Sequence, residues 1–399
     1  MSQDASTCAA PARQGRLVSL DAFRGLVMML MASAGLGLAN VAKTHPDSPL
    51  WQSLAYHTSH VPWVGGGAWD MIQPAFMFMV GVALPFSLAR RQREGQGFGR
   101  LLAHAAWRSL LLIALGVFLA SHWSPHTVFH FTNVLAQIGL GYVGAFLFVG
   151  RPLVWQLCGF ATLLLAAWAA FVLHPLPPGN LDWSQYGVKP EETGDVLLPG
   201  LFAHWNKGWN LAASFDRWFL NLFPGETTFV FNSGGYQTLN FVPSIATMLL
   251  GVMAGELLLS ERTPSAKLLR LFLAGGVCLG LGVLAGRYAC PIVKRLWTPS
   301  WVLYSGGIVL WLLAAFHALL DFRLRNCWAF PLMVVGRNSI LIYLLYQLSS
   351  SWIRDNLKTH LGQDIFSGPD GEFLQRGTVL LILWAVCWWF HRRRIFLRL

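Results

Sequence analysis

The sequence predicts an all-α integral membrane protein with about ten transmembrane helices. Of its 399 residues, 55% are hydrophobic and only 12% are charged, against about 25% charged residues in an ordinary soluble domain. So little charge cannot cover a soluble globule, and disorder would need low hydrophobicity and high charge. The 19 Trp and 27 Phe are typical of a chain that lines two membrane–water interfaces. Soluble enzymes and disordered proteins are therefore excluded.

Ten apolar segments are long enough to be helical crossings, each of which needs about 20 mainly apolar residues. The predicted spans are 17–39, 68–89, 101–121, 131–150, 153–173, 239–259, 268–287, 301–320, 329–348 and 377–391. The expected organisation is a cytoplasmic N-terminal tail over 1–16, one transmembrane domain over 17–391 and a basic cytoplasmic C-terminal tail over 392–399.

The distribution of Lys and Arg between alternate loops predicts that both termini are cytoplasmic. With the N-terminus inside, the cytoplasmic segments are the shorter set and yet hold most of the 29 basic residues, which is the positive-inside pattern. The net charge of +11 comes from short clusters between apolar runs, such as Arg392–Arg394, and not from one basic face. This arrangement indicates a lipid bilayer as the partner and argues against nucleic acid.

One predicted external loop is long, from about residue 175 to 238. Within it, Ser214–Phe223 predicts an amphipathic helix that lies in the outer membrane interface. The apolar residues at positions i, i+3, i+4 and i+7 are Phe215, Trp218, Phe219 and Leu222. Such a helix is either an anchor without chemistry or part of a cover over a substrate pocket.

Ionisable residues inside apolar segments are costly, so each needs a partner, a cavity or a function. Asp21 and Arg24 share one face near the cytoplasmic end of the first span. They form either a structural ion pair or a site where Arg24 binds a phosphate that Asp21 helps to orient. Arg337, Asn338 and Ser339 open the ninth span from the inside, where a helix N-terminus with Arg and amide donors suits an anion.

The densest polar group lies between residues 57 and 74, in an outer loop and the start of the second span. Proline and three successive glycines keep this stretch irregular, and irregular backbone at membrane depth lines a cavity or is buried in protein. His60 is a candidate general base. Asp70 is placed to orient its imidazole, and Gln73 adds a further donor and acceptor.

A plainer interpretation of the same stretch stays open. Trp63 and Trp69 would then anchor an interfacial loop in the headgroups while the histidines face water. Amides inside apolar runs, such as Asn240, usually pack between helices. On the functional interpretation, Trp63, Gln73 and Asn240 are candidate substrate contacts.

The sequence lacks the motifs of several well-known catalytic and metal-binding sites. The chain has no Walker loop, no G-x-S-x-G elbow, no H-E-x-x-H and no C-x-x-C pair. Most of the six Cys lie in apolar runs and suit small membrane hydrophobes. The sequence therefore argues against ATP-driven transport, serine hydrolysis and a metal site.

Two regions taken together resemble the heparan-alpha-glucosaminide N-acetyltransferase family, in particular its bacterial relatives. They cover the first quarter of the chain and one late helix. The stretches that carry the resemblance are Arg16–Gly25, His60–Gly65, Asp70–Pro74, Phe76–Gly81 and Gly336–Tyr343.

The resemblance implies an integral membrane acyltransferase, here in a bacterial inner membrane. Family members take acetyl from cytoplasmic acetyl-CoA and deliver it to a sugar amine on the far side. The family's catalytic histidine falls on His60, and basic groups such as Arg24 and Arg337 are then expected to hold the acetyl-CoA phosphates. An Asn that assists catalysis in the family is absent, and Ser33 is the candidate substitute and substrate contact.

Three hypotheses follow. In the first, acetyl passes from acetyl-CoA to an amine or hydroxyl of a saccharide, with His60 as general base or acyl carrier, Asp70 fixing its tautomer and Asn338 as an oxyanion donor. The alternative is a proton-coupled transporter or flippase of a sugar or lipid-linked intermediate, with His60 and Asp70 as a proton relay. The third, a membrane scaffold, leaves Asp21, Arg24 and Asp70 unexplained. A homodimer is kept open.

Overall fold

In the computed structural model, residues 17–322, 327–368 and 370–397 are described. These residues form helices joined by loops, with no β-strand beyond two isolated bridges to Val293. The predicted all-α class is confirmed. The predicted N-terminal tail and the last two residues of the predicted C-terminal tail lie outside the described residues.

Fifteen α-helices form along the described part of the chain. The first seven are α1 Val18–Ser33, α2 Leu38–Ala42, α3 Pro49–Thr58, α4 Ile72–Arg93, α5 Phe98–Ser121, α6 Val134–Phe146 and α7 Leu153–Leu173. The other eight are α8 Thr193–Val196, α9 Leu211–Phe219, α10 Phe241–Leu259, α11 Pro264–Tyr288, α12 Pro299–Phe316, α13 Phe330–Gly336, α14 Ser339–Leu361 and α15 Gly371–Arg392.

Eight helices of the described ranges are long and apolar enough to cross a membrane, and each coincides with a predicted span. A ninth crossing exists if Cys327–Gly336 and Ser339–Leu361, which meet at 66°, count as one span. The chain is therefore an integral membrane protein. Which side of the membrane each terminus faces stays a prediction.

The predicted count of ten is not reached, because the fourth predicted span is short. Over 131–150, the structure has only α6, a helix of 13 residues. Such a helix rises about 20 Å, whereas the hydrocarbon core is about 30 Å thick. The ninth predicted span is not one continuous helix, and the last runs over Gly371–Arg392 instead of 377–391.

Helices α4 and α10 form the central pair, and glycines set their close approach. A Cβ on Gly81 would lie 2.0 Å from the backbone oxygen of Met248, and one on Gly251 would lie 2.1 Å from that of Phe78. Small residues allow membrane helices to pack backbone against backbone. The second span is thereby held firmly, together with the Asp70 turn that precedes it.

Helix α1 packs in the same way against α13. A Cβ on Gly25 would lie 1.8 Å from the oxygen of Leu332, and one on Gly336 would lie 1.7 Å from that of Asp21. At its other end, α1 stops at Ser33, because Ala34 adopts a left-handed conformation with φ of 48°. The two ends of α1 thus meet different parts of the protein.

The long loop between α7 and α10 is folded into a small second core. Trp205 is fully buried there beside Phe171 and Trp63, with Val293 from the loop after α11. The ring centroids of Phe171 and Trp205 lie 6.0 Å apart in a stacked arrangement. This core packs over the loop segments that carry His60 and Lys294.

The predicted amphipathic helix is present as α9 and the 3-10 turn Leu220–Leu222. Its apolar and polar side chains lie on different faces, as expected. Trp218 and Leu222 are exposed, whereas Asp216 is fully buried and its Oδ2 accepts the N–H of Thr238 at 2.9 Å. The polar face therefore packs inward against the protein, because Asp216 caps the start of the segment that leads into α10.

Candidate active site

His60 lies on an extended segment between α3 and the 3-10 turn Trp69–Met71 that opens α4. Ser59 ends α3 in an extended conformation. At Gly67, a Cβ would lie 2.9 Å from the backbone oxygen of Tyr56, so the chain folds back tightly there. This turn brings His60 and Asp70 together although ten residues separate them.

Asp70 is the fixed centre of the site. It is 1% exposed, and its Oδ2 accepts the backbone N–H groups of Gly67 at 3.1 Å and Val61 at 3.3 Å. Its Oδ1 lies 2.7 Å from His60 Nδ1 and 3.1 Å from Lys294 Nζ. Both carboxylate oxygens are thus engaged, and the carboxylate has one orientation.

This contact assigns the histidine tautomer. An ionised carboxylate only accepts hydrogen bonds, so Nδ1 of His60 carries the proton and donates it to Asp70 Oδ1. Nε2 is then left with a lone pair, as a general base requires. The side chain of His60 is 41% exposed whereas that of Asp70 is 1% exposed, so the base reaches solvent and its orienting partner does not.

Lys294 completes the cluster, and sequence reasoning missed it. Its Nζ lies 3.1 Å from Asp70 Oδ1 and 3.1 Å from His60 Nδ1. Burial lowers the pKa of Lys294 to about 8, although the charge of Asp70 opposes the shift. In the sequence, Lys294 is only one of several basic residues in a predicted loop. Nothing local links it to Asp70, because 224 residues separate the two.

A second layer of contacts holds the Lys294 loop. Arg295 donates from Nη2 to the oxygen of Val61 at 3.3 Å and from Nη1 to that of Gly234 at 2.5 Å. Its guanidinium and the Lys294 ammonium both lie over the ring of Tyr236, at 5.5 and 5.9 Å from the centroid. The loop after α11 is thereby tied to the His60 segment and to the long loop between α7 and α10.

A cavity of 320 Å³ opens beside His60, a volume within the range of small-molecule pockets. Its wall includes Trp69, the turn after α1 and Arg376 of α15. A smaller cavity of 110 Å³ adjoins it and is lined by Ser33. The two cavities share Ala34, Tyr346 and Arg376 as wall residues, so they lie side by side, and together they are called the cleft.

The other end of α1 carries a separate charged group. Asp21 is 6% exposed, and its Oδ2 lies 3.7 Å from Nε of Arg337. Arg24 lies one turn further along the helix and is half-buried. Asp21 and Ser33 are twelve residues apart, so this group lies about 18 Å along the helix from the cleft.

The chain is similar to two known acetyltransferases. Human heparan-alpha-glucosaminide N-acetyltransferase is 23% identical over 439 aligned residues, which cover 96% of this chain and 59% of the relative. The mouse protein of the same name is 25% identical over 402 residues, with 88% and 57% covered. The chain is a distant relative of these acetyltransferases. It spans less than two thirds of their length, and no protein-family model matches it.

The four residues predicted to contact the acyl acceptor do not all lie in the cleft. Ser33 lines the smaller cavity, and Gln73 is half-buried on α4. Trp63 does not face the cleft, since it is 1% exposed and its Nε1 donates to the oxygen of Trp205 at 3.0 Å. Asn240 is buried and donates to the oxygen of Arg295 at 2.8 Å, so it positions the Lys294 loop.

The residues predicted to bind acetyl-CoA lie at the Asp21 end of α1, where Ser339 begins α14. The role of oxyanion donor that the sequence predicted for Asn338 is wrong. This residue is fully buried, its Nδ2 donates to the oxygen of Ile395 and its Oδ1 accepts from the N–H of Leu397, both at 3.1 Å. Its amide therefore holds the C-terminal segment. Because it lies at the far end of α1 from His60, it is no oxyanion donor for that histidine.

Proposed function

We propose that the chain is a membrane-embedded acyltransferase that moves acetyl from cytoplasmic acetyl-CoA to an amine or hydroxyl of a saccharide on the external side. The observation that carries the proposal is the His60–Asp70–Lys294 cluster, which opens on a cleft of small-molecule size. The distant relatives, named as N-acetyltransferases of a glucosaminide, support the same reaction class.

In the direct route, His60 Nε2 takes the proton from the acceptor amine or hydroxyl as that atom attacks the thioester carbonyl. The carbon–sulfur bond breaks, and the CoA thiolate takes the proton from the imidazolium. Asp70 holds Nδ1–H throughout and stabilises the imidazolium as it forms. Lys294 keeps the Asp70 charge compensated in its buried position.

The same geometry supports an acyl-carrier route. The Nε2 lone pair would attack the thioester itself, releasing CoA and leaving acetyl on the imidazole. The acceptor would then attack the acetyl carbon and the bond from that carbon to Nε2 would break, while the acceptor proton passes through Nε2 to the CoA thiolate or to solvent. The imidazole regains its starting tautomer because Nδ1 stays hydrogen-bonded to Asp70. The two routes differ in whether acetyl becomes bound to protein before the acceptor is added.

The donor phosphates are assigned to the other end of α1. Arg24, Arg337 and Ser339 are the groups proposed to bind them, since guanidinium groups and a helix N-terminus both suit phosphate oxygens. The distance along α1, about 18 Å, requires an extended donor whose reactive end reaches the cleft. A bacterial inner membrane and a homodimer stay predictions.

The experiment is to reconstitute the purified protein in liposomes, with radiolabelled acetyl-CoA on one side and an amino sugar on the other. Release of CoA together with labelled sugar on the opposite side is the expected result. The transporter or flippase alternative predicts sugar uptake driven by a pH gradient without consumption of the thioester. That second outcome would replace the proposal.

A further inference from the structure

The smaller cavity of the cleft carries two guanidinium groups outside the His60 cluster. Its wall includes Arg354, Arg376, Ser33, Ser350 and Tyr346, around a volume of 110 Å³. It shares three wall residues with the His60 cavity and lies beside it. A group seated at the arginines would therefore be a neighbour of a group bound at His60.

Arg376 is fixed within this wall. Its Nη1 donates to the backbone oxygen of Ala34 and its Nη2 to Oε1 of Glu372. Asn40 also donates to the Glu372 carboxylate. The charge of Arg376 is therefore compensated, and its guanidinium plane is held in place at the junction of the two cavities.

Arg354, the other arginine in the wall of the smaller cavity, has no acidic partner in the described ranges. It lies on α14 and is exposed, and no hydrogen bond or ion pair joins its guanidinium to any residue in the described ranges. The cavity therefore has a net positive charge, with hydroxyl groups from Ser350 and Tyr346 beside it. A planar guanidinium binds a carboxylate, phosphate or sulfate through two parallel hydrogen bonds.

We infer that this cavity binds an anionic group of the acyl acceptor, and that Arg354 sets the preference for it. The acceptor is then an anionic saccharide, whose carboxylate, phosphate or sulfate lies near Arg354 while its amine or hydroxyl lies at His60. The assignment of the ligand as the acceptor rests on the proposed function. The affinity of the cavity for an anionic sugar does not.

The test measures binding by titration calorimetry, without acetyl-CoA and in a neutral detergent free of phospholipid, so that no lipid headgroup supplies the anion. The probes are glucosamine 6-phosphate and glucosamine. We expect the wild type to bind the phosphorylated sugar about tenfold more tightly or better, since hydrogen bonds to charged groups are the stronger ones. R354Q should remove this difference, with glucosamine binding unchanged.

The matched control is K358Q, which removes one exposed positive charge from the same helix without touching the cavity. It should keep the wild-type preference. Equal affinities of the wild type for the two sugars, or a preference that survives in R354Q, would overturn the inference. A preserved preference in a protein that consumes no acetyl-CoA would instead overturn the proposed function alone.

Discussion

The ion pair between Lys294 and Asp70 is withdrawn from water, with side-chain exposures of 5% and 1%. Removing charges from water costs several kcal/mol for each ion, and the attraction between the partners repays this only when the geometry is good. Here the two backbone N–H groups on Asp70 Oδ2 contribute to that geometry. The pair is therefore expected to behave as one unit.

We expect K294M to lower the free energy of unfolding by about 3–5 kcal/mol, because it leaves a buried carboxylate without its cation. The double variant K294M/D70N should lose clearly less, since the uncompensated charge is gone. Denaturant unfolding in detergent micelles measures both. A double variant that loses as much as the single variants K294M and D70N added together would contradict the coupling.

Asp216 gives a pH dependence of stability. Burial raises its pKa from 3.8 to about 6, so the folded state binds this proton more tightly than the unfolded state. The stabilisation is complete below about pH 4 and is lost as the pH rises towards 6. At pH 7, the charged Asp216 costs the fold up to about 3 kcal/mol.

We expect D216N to raise the melting temperature at pH 7 more than at pH 4.5, because the amide cannot ionise. Thermal unfolding of the purified protein at the two pH values measures the effect. D355N changes an exposed carboxylate and should leave the wild-type pH dependence in place. Identical pH dependence in D216N and the wild type would show that Asp216 does not titrate in this window.

At the scale of elements, composition predicted most of the membrane helices. The exceptions are α6 and the bent pair α13 and α14. A hydropathy window measures the mean apolar content of a stretch of sequence, which is high in these segments. It carries no information on where the backbone turns. The bend falls at Arg337 and Asn338, where contacts with α1 and the C-terminal segment decide the path.

The α1–α13 contact is the most demanding of these element contacts. G25A would place a methyl group 1.8 Å from the oxygen of Leu332, so the helices must move apart. Overpacking of this kind costs about 1–3 kcal/mol, and we expect a lower melting temperature in detergent. G99A, with open space around its added Cβ, is the control and should unfold like the wild type. Equal melting temperatures would contradict the close packing.

At the scale of the whole molecule, the arrangement places one charged group at each end of α1. Part of the His60 group could be predicted from the sequence, because His60 and Asp70 lie ten residues apart in one irregular stretch. Lys294 was not, because the contact is made by tertiary structure across 224 residues. The cleft likewise combines the end of α1 with side chains from the middle of α14 and the first turns of α15, which no local pattern brings together.

This arrangement requires a fixed orientation in the membrane. In a variant without native cysteines, we expect D47C, in the exposed turn before α3, to react with an impermeant maleimide from outside intact cells. E94C, in the exposed turn between α4 and α5, should react only after permeabilisation. The reverse pattern would place His60 on the cytoplasmic side and contradict the proposed direction of transfer.

The most direct measurement of the central claim is acetyl transfer by H60A in liposomes, with acetyl-CoA and an amino sugar on opposite sides. The control is H122A, which removes an exposed histidine outside the cleft and should transfer acetyl at the wild-type rate. The account predicts that H60A loses at least about a hundredfold in rate, the contribution expected of a general base. A wild-type rate of transfer in H60A would contradict the account.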